Sequence, residues 1–397
     1  MNLTSLHFCL IQDHAKNGGA ARAGNRWAHL LGQKGVDVIR LAGDESTGAG
    51  YLLTGKPARG LSRVLEYFTG KGGRKFRVEA QLRSLLQTVR PNQIWFHNIA
   101  GGGKWGWSEE MVIIARKYAP VIWTLHDMWA LGNGDESYWE VNSSVESGRW
   151  KGLGGSGQGA RLQKVCGAAE KYPIQLTAPS RWLAGLTQKI TGQRCASLPN
   201  PIDLEIFSPG DSKAARRRFG LPEQGLVVLV GADSLQDHRK GFDLLREAWS
   251  RLPTGRPTLA LFGRHGEKKL GEHYLGNLST DEAMVAAYRA ADLYVHPARM
   301  ENAPCTIQES LACGTPVLAF AVGGIPEMVE PRKTGFLAPE VDMDSLGENL
   351  AEALADPSLL SEMRDACRGA AEAVWNAESL VERLDQLLQG LSGVKGR

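Results

Sequence analysis

The sequence predicts an α/β protein of two doubly wound domains, each a parallel sheet covered by helices on both faces. Three observations carry this expectation. Strand-like apolar runs alternate with helical patterns almost throughout the chain, and such alternation implies parallel strands joined by right-handed crossovers. At 397 residues the chain exceeds one ordinary core. Residues 198–210 read Leu-Pro-Asn-Pro-Ile-Asp-Leu-Glu-Ile-Phe-Ser-Pro-Gly, and three prolines with a glycine forbid a continuous element there. The expected domains are therefore 1–200 and 201–376.

In the first half the runs 6–11, 36–41, 93–97 and 121–125 read as strands. Residues 21–31 and 109–118 between them place apolar side chains at helical spacing. In the second half the strands fall at 227–230, 258–262, 293–296 and 316–320, with helices at 242–251 and 281–290. No repeat is evident, and the one biased tract is the glycine-rich segment 151–159.

Composition excludes several classes. Hydrophobic residues at 43% and charged residues at 22% describe a globular chain. A net charge of +3 gives no support to a nucleic-acid partner. The six cysteines (9, 166, 195, 305, 313 and 367) contain no Cys-x-x-Cys pair, so a reducing compartment is expected. Neither a signal-peptide core nor a run of about eighteen apolar residues is present. The expectation is a cytoplasmic protein.

The most informative stretch runs from residue 293 to 320. A short apolar strand leads to Pro304, which suits the first turn of a helix, and Gly314 stops that helix before the next strand. Backbone N–H groups near Ala303, Pro304 and Cys305 then open a helix N-terminus, an anion site suited to a diphosphate. Glu301 and Asn302 sit in the loop before this site, and Glu309 lies eight positions after Glu301, inside the helix. Carboxylates on both sides of a diphosphate are acceptors for sugar hydroxyls, a description that fits a nucleotide sugar. Upstream, Arg239 and Lys240 precede Gly241, and two cations there can neutralise the charge that builds on a leaving β-phosphate.

The first half offers its own candidates. Gly18-Gly19 follows the first strand and precedes a helix, which permits close approach of backbone to a ligand or simply a tight turn. The sequence there is not Gly-x-Gly-x-x-Gly, so a dinucleotide site is not expected. His126, in Thr-Leu-His-Asp, ends the strand at 121–125, where ligands of open α/β sheets bind. Asn98, Gly101–Gly103, Trp105, Trp107, Trp129 and Trp139 gather in this half. Flat aromatic faces suit sugar C–H surfaces, so these are the acceptor candidates, with plain burial as the other reading. Residues 55–77 interleave Lys and Arg with Leu, Val, Tyr and Phe. Such a mixture suits peripheral contact with the inner face of an anionic membrane, or a solvated loop.

Glu-x7-Glu followed by Ala-Cys-Gly-Thr-Pro-Val, then Gly323-Gly324-Ile-Pro-Glu and Thr334-Gly335-Phe336-Leu337, resembles the C-terminal half of glycosyltransferase family 4. The resemblance implies a GT-B fold, with two Rossmann-like domains facing across a cleft, and transfer with retention from a nucleotide sugar. It also implies that the last helix, about 377–397, returns to the first domain. On this resemblance Gly18 and Gly19 lie against the donor phosphates, His126 bonds the donor sugar, Lys240 holds the diphosphate, Glu301 binds sugar hydroxyls and Glu309 the ribose.

Two departures stand out. Pro201 replaces a glycine of the family's linker, and Ala232 occupies the place of its first cation, so Arg239 is the candidate substitute. The segment 132–170 holds one cysteine, Cys166, where relatives carry a cysteine-bearing insert, so no metal or disulfide clip is expected. No metal or cofactor is expected; the donor would be a UDP- or GDP-sugar and the acceptor a saccharide or lipid-linked saccharide. The same motifs also suit a GT-B nucleotide-sugar epimerase, or a sugar-binding protein without activity.

Overall fold

The computed structural model describes residues 3–14, 18–43, 51–53, 62–99, 106–132, 159–253, 257–264 and 271–392. Two compact units divide the chain: Met1–Pro201 with Ala377–Arg397, and Ile202–Asn376.

The first unit is built on seven strands: β1 (His7–Gln12), β2 (Asp37–Ala42), β3 (Tyr51–Leu52), β4 (Gln93–Phe96), β5 (Val121–Thr124), β6 (Ile174–Ala178) and β7 (Cys195–Ser197). Their order is β3-β2-β1-β4-β5-β6-β7, and every pair is parallel. Alternation along the strands feeds two cores, one on each face. Cys9, Ile11, Ile94, Phe96, Val121 and Trp123 pack with Val78, Leu82 and Leu86 on one side. Phe8, Leu10, Trp95 and Ile122 meet Trp27, Leu31, Leu380, Leu384 and Leu388 on the other. The helix Ala377–Ser392 supplies the last three, so the C-terminal end of the chain covers the first sheet.

The second unit repeats the plan with six strands: β8 (Val227–Ser234), β9 (Thr258–Arg264), β10 (Glu272–Tyr274), β11 (Leu293–His296), β12 (Val317–Phe320) and β13 (Gly335–Ala338). They are parallel in the order β10-β9-β8-β11-β12-β13. In both units the order reverses beside the first strand, between β1 and β4 and between β8 and β11. Crevices at the carboxyl ends of such strands are where open α/β sheets bind ligands.

Two expectations need correction. The basic segment 55–77 is not a loop from Ser62 onward, because Ser62–Val89 is one helix. Its C-terminal half is anchored by Val78, Leu82 and Leu86 in the core. Trp107, offered as a sugar platform, is buried and donates its Nε1–H to the Leu53 carbonyl at 2.8 Å. Gly101–Gly103, Trp105, Trp139, residues 54–61 and most of the 132–170 insert lie outside the described residues. All six cysteines are free thiols.

Candidate functional site

In the second unit the chain leaves β8 through the turn His238–Lys240, which Asp237 caps by accepting the Arg239 N–H at 3.0 Å. Gly241 follows with φ +66°, and a Cβ there would lie 1.7 Å from the Pro297 carbonyl oxygen. Only glycine lets the Lys240 turn come so close to the loop after β11. Arg299, buried in that loop, stitches the two together. Its guanidinium donates to the His238 carbonyl at 2.7 Å and to Asp243 at 2.6 Å, and its N–H donates to the Arg239 carbonyl at 2.9 Å.

This clamp places Lys240 Nζ in a hydrogen-bonded ion pair with Glu301 Oε1. His296, which ends β11, lies on the same carboxylate with its Nε2 3.7 Å from Oε1. Burial works against a charged Glu301, yet Lys240 and His296 outweigh it and hold the carboxyl down to about 2. Burial lowers the His296 pKa, although Glu301 opposes that shift. The arrangement is an anchored anion beside a cation, at the switch point of the sheet.

The helix Cys305–Ala312 opens next to Glu301 with Pro304 as its N-cap and no side-chain cap. Because Pro304 lacks an N–H and the helix begins one residue later than expected, the opening amides are those of Cys305 and Thr306. The N–H groups of Ile307 and Gln308 already return to the Pro304 carbonyl at 3.1 and 3.4 Å. No acidic side chain occupies the first turn, and the positive end of the helix dipole favours an anion there. Asn302 is buried and Ala303 half-buried beside it. The Gly324 N–H reaches the Glu301 carbonyl at 3.4 Å, which brings the Gly-Gly loop after β12 to the same place.

Two expected members stand apart. Glu309 is fully buried, and its Oε2 accepts from the Tyr288 hydroxyl at 3.1 Å, so no part of it meets solvent. Arg239 turns its guanidinium to Asp237, with contacts of 3.2 and 2.8 Å, rather than to Glu301. At Ala232 the strand simply continues: β8 runs to Ser234, with a register shift against β9 after Gly231.

In the first unit Gly18 is the N-cap of the helix Gly19–Gln33, at φ +89°, and both glycines are exposed. Asn98 follows β4 and its carbonyl accepts the Asp13 N–H at 3.1 Å. His126 follows β5, partly buried, with its Nε2 3.0 Å from Nδ1 of the fully buried His97. Burial pushes the His126 pKa down to about 4. Asp127 accepts the Trp129 N–H at 2.9 Å, and Arg161 covers the Trp129 ring at 4.3 Å. The structure thus gathers Asp13, His97, Asn98 and His126 at the carboxyl ends of β1, β4 and β5. Sequence reading passed over His97, His296 and Arg299. The two histidines carried a usable signal, since each stands at a carboxyl strand end as His126 does.

Residues 211–374, most of the second unit, match the family model of glycosyl transferases group 1. Over 214 residues the chain is 32% identical to a GDP-mannose-dependent monoacylated alpha-(1-6)-phosphatidylinositol monomannoside mannosyltransferase of Corynebacterium glutamicum. That alignment covers 48% of this chain and 55% of the relative, so the chain spans about half of that protein's length. Among solved structures, a sucrose-phosphate synthase from Thermosynechococcus elongatus superposes with a TM-score of 0.73 at 19% identity, covering 98% of this chain and all of the other (100%). Anabaena HepE in complex with UDP-glucose follows at a TM-score of 0.69 and 16% identity, covering 97% of this chain and 100% of that one. The fold is GT-B, and the similarity to the glycosyl transferases group 1 lies in residues 211–374.

Proposed function

We propose that the chain transfers a sugar, with retention of anomeric configuration, from a nucleoside-diphosphate sugar to a glycan or lipid-linked saccharide in polysaccharide or glycoconjugate assembly. The observation that carries the reading is the Lys240–Glu301 pair beside the opening of the helix Cys305–Ala312, at the switch point of the second sheet. A diphosphate there meets the lysine charge and the amides of Cys305 and Thr306, and both favour the leaving group as its charge grows. Glu301, ionised and anchored, accepts hydroxyls of the sugar. It is not required as a nucleophile, since a phosphate oxygen takes the proton of the acceptor hydroxyl as it attacks the face the diphosphate leaves.

In this reading the second unit binds the donor and the first the acceptor. Gly18 and Gly19 approach the donor phosphates, His126 the donor sugar, and Asn98 and Trp129 the acceptor. Arg239 joins the diphosphate only on release from Asp237. Glu309 meets the ribose only if its buried surroundings open; otherwise it acts through Tyr288. A GDP-mannose-dependent relative and a UDP-glucose complex on the same fold support either base in the donor. Phe76, exposed between Lys75 and Arg77 on the helix Ser62–Val89, supports peripheral contact with an anionic lipid surface where a lipid-linked acceptor resides. Among the described residues no helix is long and apolar enough to cross a membrane.

The test is incubation with UDP- and GDP-sugars and a panel of saccharide and lipid-linked acceptors, with products read by NMR. The expected product carries the anomeric configuration of its donor. An inverted product overturns retention, and an epimerised donor without acceptor favours epimerisation. Absence of turnover together with absence of nucleotide-sugar binding sinks the reading.

A further inference from the structure

Two imidazoles touch at the carboxyl edge of β4 and β5. His97 Nδ1 lies 3.0 Å from His126 Nε2, with ring centroids 5.3 Å apart and planes at 28°. Behind His97 an aromatic stack extends through Trp95, at 4.8 Å, to Trp27, 5.0 Å further on. Trp95 is itself fixed, because its Nε1–H donates to Thr124 at 2.8 Å. In front, the helix Gly19–Gln33 presents Gly24, where a Cβ would lie 3.2 Å from His97 Cγ and 2.2 Å from Gln12 Oε1. The space occupied by the His97 ring thus depends on a glycine, and the ring is held between that helix and the tryptophan.

Between two nitrogens at this distance one must carry the hydrogen and the other the lone pair. Burial, with a further contribution from His126, keeps His97 well below its ordinary pKa, and burial lowers His126, so both rings are neutral at pH 7. Two arrangements remain. In one, His97 Nδ1–H donates and His126 has its proton on Nδ1. In the other, His126 Nε2–H donates and the proton of His97 sits on its own Nε2. That nitrogen is buried and has no hydrogen-bond partner among the described residues. A buried N–H without an acceptor is the rarer defect, so the first arrangement is favoured.

We propose that His97 is a positioning residue: its Nδ1–H donates to His126 Nε2, fixing the His126 ring and the tautomer that carries its proton on Nδ1. The proposal rests on the reading in which His126 meets the donor sugar. His126 then offers the sugar a hydrogen-bond donor on Nδ1, because its Nε2 lone pair is held by His97 and is not at hand to take a proton from a hydroxyl.

Two readouts test it, both on the full chain. In spectra of imidazole 15N-labelled protein, His126 is expected to show the Nδ1–H pattern. His97→Leu should move it toward the Nε2–H form, and His97→Asn, whose amide N–H stands close to the former Nδ1–H, should restore it. An Nε2–H pattern for His126 in the unaltered protein, or a tautomer indifferent to His97→Leu, overturns the proposal. In transfer assays His97→Leu should lower kcat at least about tenfold with little change in donor KM, and His97→Asn should recover most of it. If His97→Leu fails to fold, the tautomer of the unaltered protein and the activity of His97→Asn still decide. A His126→Ala variant with full activity would defeat the sugar-site reading itself. Lost activity in His126→Ala beside full activity in His97→Leu would defeat only the positioning role.

Discussion

Replacing Lys240 by methionine removes one charge and keeps the aliphatic stem, so it isolates what the ion pair does for Glu301. The carboxyl sits at about 2 against an ordinary 4.5, although burial pushes it the other way. That gap corresponds to about 3 kcal/mol in favour of the charged form. His296 supplies part of it, and the lysine side chain remains 29% exposed, so Lys240→Met should cost about 2 kcal/mol of stability at pH 7. The sign is fixed by linkage. A carboxyl lowered on folding contributes stability that is complete above about pH 4.5 and is lost as pH falls through about 2. The difference between the two proteins should therefore be full at pH 7, smaller at pH 4 and smaller again at pH 3. Urea unfolding at those three values measures it. An equal penalty at pH 7 and pH 3, or none at pH 7, would refute the assignment of Lys240 as the partner that holds Glu301 ionised. The same variant should lose nucleoside-diphosphate affinity, which calorimetry reads directly.

Other outcomes follow from the same clamp. Gly241→Ala should destabilise by about 2 kcal/mol or more, since φ is +66° and the Pro297 oxygen occupies the place of the new methyl; a melting temperature equal to that of the parent would contradict this. Arg299→Lys keeps the charge and loses the fork that grips Asp243 and the His238 carbonyl. Hydrogen bonding to Arg299 lowers the Asp243 pKa, so carboxyl NMR should show it rising in the variant, with donor KM increased; an unmoved Asp243 would count against the stitch. Transfer should survive EDTA, whereas loss of activity restored by manganese would overturn the expectation that no metal is needed.

Much of the second unit was legible because its buried strands are short apolar runs, as at Val227–Val230 and Leu293–Val295, bounded by glycine and proline. What escaped has physical reasons. β8 runs on through Ala232, Asp233 and Ser234, which carry no apolar signal, and β7 and β10 span three residues each with polar members. The helix Ser62–Val89 hid behind its basic residues and internal glycines, which read as loop by composition although the core needs only Val78, Leu82 and Leu86. At the candidate site, Glu301 was singled out by its spacing from Glu309 and Lys240 by the family resemblance, but their contact is made by Arg299 and Gly241 holding two loops together. Pairings across 56 or 61 positions leave no local pattern. The burial of Glu309 was equally invisible, because a helix position eight residues after Glu301 says nothing of what Tyr288 places over it.

The central claim is that an activated sugar binds at the carboxyl edge of β8 and β11. A crystal structure of the chain with a UDP- or GDP-sugar bound tests it most directly. The account predicts the diphosphate against Lys240 and the amides of Cys305 and Thr306, with a sugar hydroxyl on Glu301. A nucleotide sugar held elsewhere, with Lys240 and Glu301 still closed on each other, would contradict it.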